Sequence, residues 1–438
     1  MEISLPTIKH RDYQLPAWDA FQQWAVKRDH MARIAMVWPR RSGKDTESLQ
    51  MLNFAAHLEP MNCWHLMPEA TQVRKAMWNG INKAGQRIID VAFPPELRER
   101  TNDSEMFIKL KCGSTIQFSG SDRYDSLVGA NPRVVCFSEW PICNPRSYDF
   151  VRPILAENNG LAIFPFTPRG RNHGLTLFEN LQADPHSFAE LLTCDDTGHM
   201  TEAALELERK EMSEELYLQE YFGSFDFGLE GSFYARQMNQ ATTDGRVTFV
   251  PYDSGLPVFS GFDIGLRDST AVWTVQPMPG GGLHWLNYHQ ASGEQPQYFS
   301  DYLLGLPYGR HQLFFPHDGG QHRFGMETSS AEQMEALGWS VDVLQRPTNV
   351  QAYIEDCRVA IGKSMFNAEG TEYGRSVLSA YRKEYDDKRQ TFKDKPLHDW
   401  ASDGADAFRY TVQAYNEQLM TPDWTVQPDY SQLNRAAI

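Results

Sequence analysis

The sequence has 438 residues, and 57 Asp+Glu against 41 Lys+Arg leave a formal charge of −16. Hydrophobic residues at 41% and charged residues at 22% mark a folded globular protein, which excludes collagen-like and mainly disordered chains, and the length allows roughly two to three domains. No apolar run approaches the ~18 residues of a membrane span, no basic-then-apolar leader opens the chain, and Cys63, Cys112, Cys136, Cys143, Cys194 and Cys357 lack CxxC spacing, so a zinc knuckle and a disulfide framework are not expected and a reducing cytosol fits.

The first ~180 residues alternate short apolar runs with helical patterns, which predicts a parallel α/β sheet. Residues 33–38 (RIAMVW) predict a buried strand, 39–43 a loop and 44–56 a helix; 63–67, 114–119, 133–138 and 161–167 predict four further strands. Residues 201–221 form a charged helical pattern with its charges in solvent, placing a helical subdomain at about 195–225 inside a first domain of 1–225. Glycine- and proline-rich stretches at 228–231 and 251–257 predict a linker over 226–257. Residues 258–264, 270–276 and 282–290 then read as three strands, 313–316 as a fourth apolar run, and helices begin near Ser330, Val350, Tyr373 and Trp400. This is the order of an α+β layered domain, 258–418, followed by a poorly ordered tail at 419–438.

An acidic chain that handles nucleic acid must do so through a local basic path or through cations held by carboxylates. The stretch RIAMVWPRRSGKD matches a Walker A phosphate loop in part. There, backbone N–H groups and a helix N-terminus cradle phosphates while a lysine, here Lys44, neutralises the outer ones. Ser42, Gly43 and Lys44 lie in the cradle; Trp38 stands where the consensus has Gly, and Asp45 where it has Ser or Thr. The run VVCFSE is an apolar strand ending in an acid, like a Walker B motif: Glu139 falls where the base that orients water belongs, and Ser138 replaces the Asp that helps hold Mg2+.

One position has gained a carboxylate where the other has lost one. The expectation is an exchange in which Asp45 supplies the metal-side carboxylate and Ser138 the hydroxyl. A carboxylate ~4 Å from a phosphate is repelled by about 4 kcal/mol at an effective dielectric near ~20, so a cation must lie between them. The plainer reading is a degenerate loop that binds nucleotide poorly. Arg40 and Arg41 suit the spreading of transition-state charge. Thr167 ends the fifth strand where a hydroxyl can sense a γ-phosphate, or simply closes a turn; Gln14 in RDYQLPAW can read an adenine edge, or sit on the surface beside Trp18.

In the second half, Asp263 closes an apolar strand at GFDIG, its glycines keeping the backbone accessible, and Asp318 follows an apolar run in LFFPHDGG. Asp also favours turns, so two such residues alone only suggest a site. In HDWASDGADAFRY, Asp399, Asp403 and Asp406 fall at i, i+4 and i+7, one face of the helix expected from Trp400. Like charges so spaced cost each other a few tenths of a kcal/mol per pair unless a cation lies among them. Two ions ~3.5–4 Å apart hydrolyse phosphodiesters, one activating water and one stabilising the leaving oxygen, and oxygen ligands select Mg2+ or Mn2+. Asp268 reads better as a loop cap, and His317, His322 and His398 as surface or hydrogen-bonded histidines. YRKEYDDKRQTFKDK is either a contact for DNA phosphates or a solvated hairpin or loop.

WPRRSGKD, DSLVGANPRVVCFSEW and LAIFPFTPRGRNHG, followed in order by EGSFY, GFDIGLRDST and SDGADAFRY, resemble the large terminase subunits of tailed bacteriophages over about residues 10–415. The resemblance implies an α/β chain: a P-loop ATPase domain of the additional-strand class with a parallel-type sheet, then a ribonuclease H-like α+β nuclease domain. It implies ATP with Mg2+ at Lys44, Asp45, Ser138 and Glu139, with Thr167 coupling hydrolysis to movement. It also implies two Mg2+ or Mn2+ at Asp263, Asp318 and Asp406, the last matching the third catalytic acid, with Asp403 as an extra ligand. Where the family often carries an arginine this chain has Val128, leaving Arg123 and Arg133 as candidates to act on a neighbouring subunit. The partners implied are double-stranded DNA, a portal on a procapsid and a small terminase subunit. The protein would be a ring on the portal or a monomer in solution, in the host cytoplasm and absent from the mature virion. Other readings are an ATP-dependent nuclease or helicase of DNA repair, and a DNA-binding assembly factor whose phosphate loop no longer turns over ATP.

Overall fold

The apolar runs of the first half pair into one sheet whose central strands are buried on both faces. The computed structural model describes residues 9–127, 129, 131–226, 228, 230–265, 269–321, 328–346, 349–386 and 391–419. Val128, Asp268, His322, residues 387–390 of the basic segment and the expected tail from 420 lie outside them. The chain divides into two compact units, Met1–Gly228 and Leu229–Ile438.

In the first unit the strands are β1 (Ala32–Val37), β2 (Asn62–Met67), β3 (Arg98–Asn102), β4 (Phe107–Leu110), β5 (Thr115–Gly120), β6 (Pro132–Phe137), β7 (Leu161–Phe166) and β8 (Ser187–Leu191). They lie in the order β3-β4-β5-β2-β6-β7-β1-β8. From β5 to β8 every pairing is parallel, and β3 and β4 add an antiparallel edge. Alternation along each strand splits the core in two. Ile34 and Met36 pack with Trp18, Phe21 and Leu52 on one face, while Ala35 and Val37 pack with Val151, Leu155 and Phe178 on the other. That double burial explains why the strands read as continuous apolar runs. The antiparallel edge and β8 were not expected from the sequence. Residues 201–221 form two helices, Glu202–Glu211 and Glu214–Phe222, because Ser213 caps the second by accepting from Leu216 N.

The second unit holds β9 (Val247–Thr248), β10 (Phe259–Asp263), β11 (Ser269–Pro277), β12 (Leu283–Ser292), β13 (Gln312–Phe315), β14 (Ser340–Val343) and β15 (Met365–Asn367), in the order β14-β13-β10-β11-β12-β15-β9. β10, β11 and β12 pair antiparallel, and β13 and β14 join β10 in parallel, the strand order and direction of a ribonuclease H-like sheet. Helix Ala235–Thr243 and β9, within the stretch expected to link the domains, are built into this unit through Met238 and the β9–β15 pairing.

Helix Ser402–Ala414 packs on β10 and β11 through Ala405, Phe408 and Val412, which share a core with Trp273 and Phe259. Gly261 makes the approach possible: a Cβ there would lie 2.2 Å from Thr411 Oγ1 and 2.8 Å from Thr411 Cα. This glycine therefore admits a helix rather than leaving the backbone accessible. Its consequence is that the helix carries Asp403 and Asp406 to the end of β10, where Asp263 sits.

Candidate functional site

Two groups of side chains, one in each unit, gather where the sequence concentrates its chemistry. In the first unit the chain leaves β1, turns through residues 38–43 and enters helix Lys44–Leu58. Gly43 takes φ 94° at the helix N-cap, a left-handed conformation suited to glycine, and Arg41 takes φ 64°. Arg40 and Arg41 are exposed, whereas Ser42 is buried. Lys44 has a side chain only 8% exposed, with Nζ 3.0 Å from Thr167 Oγ1 and 3.5 Å from Glu139 Oε1. Thr167 thus touches the lysine itself.

Ser138 Oγ donates to Asp45 Oδ1 across 2.6 Å, so the structure brings together the two residues read as exchanged. Their hydroxyl and carboxylate oxygens are the hard donors that Mg2+ takes, and both stand beside Lys44. Glu139 follows with φ 57°, uncommon for a non-glycine residue and a conformation that collects at functional sites. Strand β6 ends at Phe137, so Ser138 and Glu139 sit just beyond it, at the carboxyl edge where parallel sheets hold ligands.

Gln14 is buried rather than on the surface. Its Nε2 donates to Ser42 O at 3.3 Å and its Oε1 accepts from Arg11 N at 2.9 Å, while Tyr13 OH donates to the same Ser42 carbonyl. One N–H and the oxygen thus tie the amide to the loop and to the segment before it, and its second N–H and second lone pair remain available to a ligand edge. Arg133 is ion-paired with Glu59 near the opposite end of β6 and does not reach this site; Arg123 is exposed beside Asp122. Sequence reasoning missed Arg169, whose guanidinium contacts Glu220 and Glu139, and His199, which hydrogen-bonds Arg40 O. The signal for Arg169 was its place two residues after Thr167.

In the second unit, Asp406, Asp403 and Asp318 each lie close enough to Asp263 to act on its carboxyl. Burial pushes the Asp263 carboxyl well above the usual carboxylate range; Asp406, Asp403 and Asp318 push the same way, and Arg409 opposes them. Asp406 Oδ1 accepts from Arg409 Nη2 at 2.9 Å and from Tyr381 OH at 3.3 Å, and Asp403 Oδ2 accepts from Ser269 N at 3.2 Å. Arg409 is buried, a cation the sequence reading did not use. Among the described residues no three His, Cys, Asp or Glu side chains close around a single point. The donor set is nonetheless all carboxylate oxygen, which fits Mg2+ or Mn2+ and no softer metal.

Asp399 departs from the expected helical face. The helix starts at Ser402, and Asp399 lies before it in a buried ion pair with Arg382 at 2.9 Å. The basic segment forms the hairpin of β16 (Lys383–Asp386) and β17 (Thr391–Pro396), where Lys393 and Lys395 pair with Glu384 and Lys383 pairs with Asp394.

No family model matches the chain. It is 23% identical over 331 residues to the terminase large subunit of Escherichia phage T5, covering 72% of each chain. Among solved structures it is similar to the HK97 bacteriophage large terminase, at 12% identity over 93% of this chain and 95% of that one with a TM-score of 0.43. It is also similar to the large terminase of a thermophilic bacteriophage in complex with ADP, at 15% identity over 92% and 99% with a TM-score of 0.40.

Proposed function

We infer, from the likeness to the phage T5 protein and from the two sites in one chain, that this is a large terminase subunit, the ATPase and nuclease of a phage DNA-packaging motor. ATP hydrolysis would drive double-stranded DNA into a procapsid, and a two-metal nuclease would cut concatemeric DNA when packaging starts and ends. The observation that carries the reading is the placement of Lys44 Nζ between Thr167 and Glu139, beside the Ser138–Asp45 hydrogen bond.

Lys44 and the amides of residues 42–44 would take the β- and γ-phosphates at the helix N-terminus. Asp45 and Ser138 would hold Mg2+, which when bound neutralises charge between the phosphates. Glu139 would align water on the γ-phosphate, and Arg41 would meet the charge that spreads over the phosphoryl oxygens. Loss of the phosphate would free Lys44 to re-engage Thr167, linking hydrolysis to β7. In the second unit Asp263, Asp406, Asp403 and Asp318 would hold two Mg2+ or Mn2+, whose chemistry is to activate water and stabilise the leaving oxygen. Arg409 fixes the orientation of Asp406. Acting partners would be duplex DNA, a portal and a small terminase subunit, with several copies in a ring, in the host cytoplasm.

The test separates the two activities in the full chain. Lys44→Ala should abolish ATP turnover and leave Mn2+-dependent plasmid cleavage within about twofold, and Asp263→Ala should do the reverse. No turnover and no cleavage by the wild type would favour the DNA-binding assembly factor.

A further inference from the structure

The base Glu139 is held by two cations, Lys44 from the first turn of the phosphate-loop helix and Arg169 from the stretch that follows β7. Lys44, the partner of Thr167, lies 3.5 Å from Glu139 Oε1, and Arg169 Nη2 lies 3.9 Å from Glu139 Oε2. Glu139 Oε2 is buried and accepts no hydrogen bond among the described residues, a cost that a small movement of Arg169 would remove. That movement is opposed, because Arg169 Nη1 donates to Glu220 Oε1 at 2.5 Å. The Arg169 and Glu220 side chains are 16% and 6% exposed, so this contest between two carboxylates is poorly screened by solvent.

Glu220 lies in the last turn of helix Glu214–Phe222, where backbone carbonyls lack intrahelical partners. Its carbonyl accepts from Arg40 N at 2.9 Å, and His199 Nε2 meets Arg40 O at 2.9 Å. The helical segment is therefore tied to the phosphate loop through Arg40 and to the base through Arg169. It has its own small core, Cys194, Tyr217 and Tyr221 with Met200, Leu205 and Met212, separate from the two that cover the sheet. A core of its own makes the segment a cooperative unit distinct from the sheet.

We propose that Arg169 is a positioning residue for Glu139, and that Glu220 sets how firmly it grips: the helix Glu214–Phe222 regulates the water-orienting base through one shared guanidinium. This rests on the reading of Glu139 as that base. Among the described residues the Glu220 carboxylate reaches Glu139 only through Arg169, so its effect on turnover isolates the relay.

The experiment measures kcat and KM for ATP, together with ADP affinity, in the full chain and in Arg169→Gln, Glu220→Gln and the double variant. Each single variant is expected to lower kcat at least tenfold while ADP affinity moves less than threefold, and the double variant should fall no more than twofold below the worse single. Arg169→Lys keeps the charge but cannot fork between two carboxylates, so it should bind ADP normally and remain slow. The relay is overturned if Glu220→Gln keeps kcat within twofold of the wild type, if the two losses multiply, or if ADP affinity falls in parallel with kcat, the mark of a merely structural anchor. Absence of turnover in the wild type would overturn the ATPase reading and the relay together; turnover with an indifferent Glu220 overturns the relay alone.

Discussion

Ser138 Oγ donates a hydrogen bond to Asp45 Oδ1 across 2.6 Å, joining the residue after β6 to the first turn of the helix that follows the phosphate loop. A phosphate loop with an acid at this position would repel its own ligand. On the proposed reading, the hydroxyl that follows β6 would make the acid half of a cation site whose two chemical groups have traded elements. The consequence for binding is specific. ADP should bind the wild type more tightly with Mg2+ than with EDTA, and Asp45→Ala should lose that gain, about tenfold or 1.4 kcal/mol, without weakening in EDTA. Calorimetry with each buffer checks it; equal Mg2+ dependence in both proteins would remove Asp45 from the site.

Asp263 sets the behaviour of the second site without metal. Burial and its acidic neighbours raise its carboxyl well above the usual range, so the folded state binds a proton more readily than the unfolded one. Its contribution to stability is therefore lost as pH rises from the unfolded value near ~3.9 through the folded one. At pH 7 with EDTA, Asp263→Asn should melt a few degrees above the wild type, on the order of 1 kcal/mol. Mn2+ should raise the midpoint of the wild type and leave the variant unmoved. Differential scanning calorimetry gives both numbers.

Gly261 is the point at which packing fixes chemistry. A methyl group there meets Thr411 at its backbone as well as its hydroxyl, so a rotamer change does not relieve the clash. Gly261→Ala should destabilise the second unit by about 1–3 kcal/mol and displace Asp403 and Asp406 from Asp263. Plasmid cleavage should fall at least tenfold while ATP turnover, in the other unit, stays within twofold.

A separate pH dependence comes from the residue in place of the consensus glycine. Trp38 Nε1 donates to Glu190 Oε1 at 3.0 Å, and burial raises the Glu190 carboxyl from 4.5 to about 7. The folded state holds the proton more tightly, so stability should fall as pH rises from about 4.5 to 7 and level off above. Glu190 is only half-buried, which reduces the effect to on the order of 1–2 kcal/mol. Glu190→Gln, which keeps an acceptor for Trp38, should flatten this part of the stability profile.

The parallel sheet was legible because double burial writes each strand as an unbroken apolar run, as in RIAMVW and VVCFSE. Lys44, Asp45, Ser138 and Glu139 were legible from their places at strand and helix ends. Arg169 and Arg409 were not, since an arginine in TPRG or AFRY looks like any other until the fold supplies its carboxylate. Asp399 misled because spacing assigns a helical face only when the helix has begun, and here it begins three residues later. The loop contact of Gln14 was not legible either, since an amide that can read a base can equally brace a loop, and only the fold supplies Ser42 O.

The most direct test is phosphate release from ATP, with Mg2+ and duplex DNA, by four proteins: the wild type, Asp45→Ser, Ser138→Asp and the variant carrying both. Turnover by the wild type, a loss of at least tenfold in each single variant and recovery in the double to at least tenfold above the slower single are expected, because the exchanged pair would be restored in the opposite sense. A wild type that releases no phosphate, or a double variant no faster than the slower single, would contradict the account.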